Sequence, residues 1–225
     1  MLIMKVIMLL GVPFLTLFLY FNNPSISGRT VFSLFILFVI FERVWEGLYT
    51  SKDKDMNNIE GDWTLPASML SYIFLVIFCL AEFYKVDRQY NNYLTSIGIC
   101  MYIAALYLRL WAVNSLGDQW SVHIIGKEKL VGHRKLVTKG PYKYIRHPVY
   151  IGIVLEQIGI PLIFNLFYTA IIIGFFSITL QLIKSGLEEK EMKSRLGKTY
   201  EDYLKNTARF NPFFKFIAVR RKGGL

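Results

Sequence analysis

The chain has 225 residues, 54% of them apolar and 16% aromatic, and a formal net charge of +10. Its length allows one domain or at most two, and a mean hydropathy of +0.38 is higher than soluble domains usually show. A basic surplus of this size points either to nucleic acid or to an anionic membrane surface; the continuous apolar runs decide for membrane lipid and against a nucleic-acid partner.

The first run, 6–21, is apolar apart from Thr16. Lys5 before it is compatible with a secretion signal, but 22–28 is a poor small-residue cleavage site, so a retained membrane anchor is expected. A second run at 31–41 continues through Val44 and Trp45 to Tyr49. It carries Glu42, Arg43 and Glu46 near one end, where charges either face the bundle interior or snorkel toward water. Runs at 65–83 and 94–113 follow, each near the roughly 20 residues a helix needs to cross a bilayer core. Two shorter runs, 149–164 and 166–183, meet at Asn165 just after Pro161 and predict a tight helical hairpin. Glu156 and Gln157 are polar groups inside it, suited to a lipid channel or to a structural hydrogen bond. Strands are not expected, because open sheet edges leave backbone groups unsatisfied in lipid. The last stretch, 185–206, has Leu187, Met192, Leu196, Tyr200, Tyr203 and Leu204 at mostly helical spacing with charges between, and predicts an amphipathic helix on the headgroups.

The expected architecture is therefore an all-α integral membrane protein with about five to six membrane helices, a C-terminal hairpin and a cytoplasmic amphipathic helix. Residues 1–114 form a mainly membranous part, and 115–225 hold most of the polar chemistry. Orientation follows from the loops. Lys127, Lys129, Arg134, Lys135, Lys139, Lys143 and Arg146 precede the hairpin, and a run of basic residues from Lys184 onward follows it. A hairpin returns the chain to one face, and the positive-inside rule makes that face cytoplasmic, with the N-terminus on the same side. Cys79 and Cys100 sit in apolar runs and read as packing residues; no Cys/His cluster has zinc spacing, so no metal is expected.

The densest polar stretch is GPYKYIRHPVYIG at 140–152, on the threshold of the hairpin. Taken alone, Tyr142, Tyr144 and Tyr150 are an interfacial aromatic belt, and Glu188 and Glu189 beyond the hairpin are a solvated helix face. Taken in order they form a pattern: Gly140 and Tyr142; Arg146, His147, Pro148, Tyr150 and Gly152; a hairpin; Glu188 and Glu189; Leu196, Gly197, Tyr200 and Tyr203; Pro212. Upstream, YLRLWAVNSLGDQW adds Arg109 and Gly117. This ordered set, over roughly 107–214, resembles the isoprenylcysteine carboxyl methyltransferases and their relatives the membrane phospholipid methyltransferases.

The resemblance implies methyl transfer from S-adenosyl-L-methionine to a lipophilic small-molecule or prenylated acceptor, with a prenylcysteine-like carboxylate as one candidate. It implies cofactor contacts at Leu136, Val137, Tyr142, His147, Pro148, Val149, Tyr150, Glu188 and Glu189, with Glu188 as the cofactor-binding glutamate and Glu189 as its neighbour. Arg109, Lys184 and His147 are the candidate catalytic residues. Arg109 would pair with Glu46 or stand at the acceptor entrance. The chain departs from the family at two places. Arg134, preceded by His133, stands where the family has a histidine, and Lys184 stands where the isoprenylcysteine enzymes have a carboxylate-binding arginine. Lysine keeps the charge and loses the bidentate fork.

The local chemistry agrees. No glycine-rich nucleotide turn follows a strand, so a cofactor pocket would be built from aromatic and imidazole groups on one side of the hairpin and carboxylates on the other. The reaction would be an in-line displacement promoted by alignment and exclusion of water. A carboxylate acceptor needs no base, whereas a thiol, enol or amine would use His147 or a glutamate. Two alternatives stand beside this reading: an NADPH-dependent membrane reductase of sterol-reductase type, whose R-H-x-N-Y has Asn where this chain has Val149, and a non-catalytic membrane scaffold.

Overall fold

The computed structural model describes residues 28–50, 63–87, 89–117 and 136–210, with side chains of 42–50 and of Leu65 left aside. Six α-helices are described: α1 (Gly28–Thr50), α2 (Thr64–Lys85), α3 (Asn92–Leu116), α4 (Pro148–Ile163), α5 (Phe167–Leu196) and α6 (Lys198–Asn206), with a 3-10 turn at Gly140–Lys143. No strand occurs among the described residues beyond an isolated parallel bridge between Ile145 and Ala208. Three helices, Pro66–Lys85, Asn92–Leu116 and Phe167–Leu196, are long and apolar enough to cross a membrane, and Gly28–Phe41 and Pro148–Ile163 are shorter apolar helices. The protein is an all-α membrane protein. The expected anchor at 6–21, His133 and Arg134 lie outside the described residues.

The chain divides into two compact units, 1–58 and 59–225. In the first, α1 buries Val31, Phe32, Phe35, Ile36, Phe38 and Val39, a helical stripe of large side chains. In the second, α4 is the central element. It buries eleven of its 16 residues and packs most extensively on α3 and then on α5. The change of character at residue 114 is thus not a packing boundary, since α3 belongs to the same bundle as the hairpin.

Small residues decide how closely α3 and α4 approach. A Cβ on Gly98 would lie 2.5 Å from the Ile163 nitrogen and 2.8 Å from the Gly159 oxygen, so only glycine allows this backbone contact. With little hydrophobic drive between helices in lipid, such small-residue contacts are what van der Waals packing exploits. The other faces of α2, α3 and α5 leave Ile73, Ile77, Ile103, Ile171 and Phe175 exposed, as lipid-facing surfaces require.

The hairpin turn is built by Asn165, whose φ of 58° is left-handed, a region asparagine tolerates better than most residues. Its side chain donates to Thr95 Oγ1 at 2.8 Å and accepts from the Asn91 N–H at 2.8 Å, while Thr95 Oγ1 donates to the Ile163 carbonyl at 3.0 Å. Nearby, both Glu82 oxygens accept N–H groups at the start of α5, from Tyr168 at 3.2 Å and Thr169 at 2.7 Å, at the helix end where a carboxylate is favoured.

The expected separate helix over 185–206 is not formed. α5 runs unbroken through the lipid-facing stretch and past Glu188 and Glu189 to Leu196. It stops at Gly197, whose φ of 51° and N–H bond to the Lys193 carbonyl are a glycine C-cap. Only then does the short α6 begin. Nothing between Ile183 and Leu196 breaks a helix: no proline occurs, and Gly186 alone is tolerated.

Candidate active site

Antiparallel packing gathers one end of α2, α3, α4 and α5 together with 140–147 and 198–210. Gly140 opens the 3-10 turn with φ 61°, and a Cβ there would lie 2.0 Å from Ser115 Oγ, so this turn sits directly on the end of α3. Pro148 occupies the first turn of α4, where its missing N–H costs no hydrogen bond. His147 is thereby held at the helix start, 5% exposed.

His147 is the hub. Its Nδ1 lies 3.3 Å from Glu188 Oε2 and its Nε2 3.0 Å from Glu189 Oε1. Its ring is stacked on that of Tyr150, with centroids 5.3 Å apart and planes within 1°, and Phe210 packs at 5.7 Å. Burial alone would lower the His147 pKa, but hydrogen bonds and charge attraction from Glu188 and Glu189 outweigh it and raise the pKa above 6.5. The imidazolium, with both nitrogens donating, is the form this geometry favours.

Glu189 is a structural clamp. It accepts from Arg146 Nε at 2.9 Å and faces Arg209 Nε at 3.5 Å. Arg146 Nη1 also donates to the carbonyls of Leu204, at 3.3 Å, and Thr207. One arginine thus ties the entrance of α4, the middle of α5 and the end of α6. Backbone bonds from the Arg146 N–H to the Ala208 carbonyl at 2.8 Å and from the Ala208 N–H to the Tyr144 carbonyl at 3.3 Å complete the strap. Glu188 is more open: its side chain is 39% exposed, against 16% for Glu189. Burial, with the neighbouring Glu188 charge next, pushes the Tyr142 phenol well up. Tyr203 Oη donates to the Tyr142 carbonyl at 2.7 Å, and burial moves its own pKa up to about 12.

The sequence-expected residues therefore fall into two groups. His147, Tyr150, Glu188 and Glu189 meet at one end of the bundle, and Pro148 and Val149 follow as the buried first turn of α4. Tyr142 packs on the cluster of Val149, Tyr150 and Ala112. Leu136 and Val137 are partly buried in the segment leading to the 3-10 turn. Lys184 is 5% exposed; its Nζ donates to Ser68 Oγ at 2.7 Å and lies 5.5 Å from the Tyr150 ring centroid. Arg109 is one to two turns deeper. The described geometry gives it Glu156 as ion-pair partner, with Nη1 2.5 Å from an Oε2 that also accepts from Tyr72 Oη at 3.2 Å. The side chain of Glu46, the other partner considered for Arg109, is outside the described residues. Gly152 makes the Glu156 pairing possible, because a Cβ there would stand 2.5 Å from Arg109 Cγ.

Sequence reading missed Arg146 as a clamp, Arg209 and Phe210 as walls, and Ser68 and Ser71 as partners. Arg146 was visible in the 140–152 motif. The others carry no local signal: Arg209 and Phe210 follow the bridge between Ile145 and Ala208, and Ser68 and Ser71 meet Lys184 and Gln157 only because α2 packs against α5 and α4, 116 and 86 residues away.

Comparison with known proteins now bears on this region. Residues 97–194 match the isoprenylcysteine carboxyl methyltransferase (ICMT) family. That segment resembles the ICMT family. It contains the hairpin, His147, Lys184, Glu188 and Glu189. Over 168 residues the chain is 27% identical to the uncharacterized protein YpbQ of Bacillus subtilis, covering 72% of this chain and 97% of that protein. It is 29% identical over 135 residues to the protein-S-isoprenylcysteine O-methyltransferase of Xenopus laevis, covering 59% and 46% of the two chains. For the enzyme of the same name from Schizosaccharomyces pombe the figures are 33% over 102 residues, covering 44% and 41%. The chain thus spans about half the length of the ICMT-family enzymes it matches.

Proposed function

We propose that this protein is an integral membrane methyltransferase that uses S-adenosyl-L-methionine to methylate a lipophilic acceptor, with a prenylcysteine-like carboxylate as one candidate group. The observation that carries the reading is the closure of His147 on Glu188 and Glu189 across the hairpin, at 3.3 and 3.0 Å, beside the faces of Tyr150 and Phe210.

The donor set fits the cofactor. A half-open carboxylate suits its ammonium group, and aromatic faces suit its sulfonium. Glu188, Tyr142 and His147 would hold it, with Leu136, Val137, Pro148, Val149 and Tyr150 lining the contact. When bound, it supplies an electrophilic methyl group. Glu188 balances the amino-acid end. Tyr150 and Phe210 exclude water from the imidazole, which favours a reaction that consumes charge. Arg146, through Glu189, fixes the strap 207–210 over the His147 ring. Lys184, with a cationic Nζ next to Tyr150, orients the acceptor's reacting end as the membrane-side cation; a single ammonium tolerates more acceptor shapes than a guanidinium fork. The Arg109–Glu156 pair is internally neutralised, so Arg109 acts as a positioning residue beneath the site.

Basic residues crowd the end of the bundle that carries the site, which by the positive-inside rule supports a cytoplasmic active site. The test is equilibrium binding to purified protein in detergent. S-adenosyl-L-methionine is expected to bind saturably, and Glu188→Ala to weaken it by at least tenfold. Binding of NADPH in its place would favour the reductase, and binding of neither would overturn the assignment.

A further inference from the structure

Below the site lies a polar layer that the chemistry above does not use. α2 and α5 run antiparallel with a register set at both ends, by Ser68 with Lys184 and by Glu82 with Thr169. Ser71 and Gln181 are each three residues further in from the first pair, on buried stripes of their helices, so they share a level about 4.5 Å below Lys184. Gln157 of α4 joins them: its Nε2 donates to Ser71 Oγ at 2.6 Å. Ser177 is one turn deeper, on the same face of α5 as Gln181 and Lys184.

This layer has hydrogen-bonding capacity left over. Gln157 and Ser177 are 0% exposed and Gln181 2%. Yet Gln157 Oε1, Ser177 Oγ and both amide atoms of Gln181 have no hydrogen-bond partner among the described residues. Burying an amide without a partner is costly, and a bilayer interior offers no bulk water to relieve it. The free atoms include both a donor and acceptors. Of the neighbouring charged groups, Arg109 and Glu156 are paired with each other at 2.5 Å and Lys184 donates to Ser68 Oγ at 2.7 Å, so what the layer itself offers a ligand is neutral hydrogen bonding.

We propose that Gln157, Ser177 and Gln181 form a subsite inside the bundle that receives an uncharged hydrogen-bonding group of the acceptor, an amide or a hydroxyl, one to two helical turns below Lys184. This rests on the reading of the site as a lipophilic methyltransferase and adds to it. The acceptor is then an amphiphile with a second polar group beside the methylated one, and pure hydrocarbon-tailed acids are poor substrates. Gln181 offers the amide N–H and carbonyl that such a group needs, and Gln157, held by Ser71, presents its oxygen.

The test compares two probes in the purified full chain: N-acetyl-S-farnesylcysteine, and S-farnesylthiopropionic acid, which keeps chain and carboxylate and lacks the amide. The wild type is expected to favour the first by tenfold or more in kcat/KM. In Gln181→Leu and in the milder Ser177→Ala that preference falls toward one, mainly through KM. The affinity for S-adenosyl-L-methionine and the Tm stay at or above wild type, because an unpartnered polar group has been replaced by an apolar one. A preference that survives both substitutions overturns the subsite, as does a fall in Tm with no change in preference, which marks structural hydrogen bonds. Acceptor-bound coordinates with only water in the layer also overturn it. If neither probe is methylated while the methyl donor still binds, the acceptor assignment and the subsite fail and the cofactor reading stands; loss of donor binding in the wild type sinks the function itself.

Discussion

At the scale of the residue, His147 shows how environment sets protonation. Burial works against the charged ring, and Glu188 and Glu189 win because each faces a different nitrogen. A histidine pKa raised on folding stabilises the protein fully below about 6.5, and that stabilisation is lost as pH rises through the folded value. Thermal unfolding followed from pH 6 to pH 9 should therefore show a falling Tm. Replacing both glutamates by glutamine should abolish that fall, and the NMR titration of the ring should drop below 6.5, because burial then acts unopposed. Arg109 belongs at this scale too. Its partner Glu156 is fully buried, so Arg109→Leu should cost about 3–5 kcal/mol by taking the guanidinium away from that buried carboxylate. Adding Glu156→Leu should restore most of the loss, which denaturant or thermal unfolding in detergent can measure.

At the scale of the element, the hairpin and the contact of α3 with α4 matter most. The Gly98 Cβ position lies within 2.8 Å of three backbone atoms, which cannot yield as a flexible side chain would. Gly98→Ala should cost about 1–3 kcal/mol by pushing α4 away, and with it move His147 and weaken methyl-donor binding. Tm and donor affinity should fall together. α5 carries a different lesson. Its apolar periodicity ends near Ile183, so the pattern there suggests that a membrane segment stops and a surface helix starts. Backbone hydrogen bonding has no reason to stop at that point, and the helix continues rigidly to Gly197. That continuity holds Glu188 and Glu189 at a fixed angle to Lys184, four residues or one turn away.

At the scale of the molecule, the arrangement of helices predicts sidedness. In the unit 59–225, the residues 140–147 and 198–210 share one end with the site, and 86–87 and 89–91 together with the turn at Asn165 lie at the other. Single cysteines introduced at Lys143 and Lys205 in an otherwise cysteine-free chain should react with an impermeant maleimide from the same side of sealed vesicles. One introduced at Tyr90 should react only from the opposite side. Labelling of all three from one side would contradict the bundle. Much of this was legible in the sequence. Apolar run lengths, Asn165 at the turn and Pro148 at a helix start are local signals, because solvation by lipid and backbone sterics act over a few residues. The order of Arg146, His147, Glu188 and Glu189 likewise pointed to groups that meet across a hairpin. Partner choice was not legible. That Arg109 meets Glu156, that Arg146 reaches the carbonyls of Leu204 and Thr207, and that Gln181 stands level with Ser71 depend on helix register and on the close approach that Gly98, Gly152 and Gly159 permit. Those are distances between segments far apart in the chain, and only packing in three dimensions determines them.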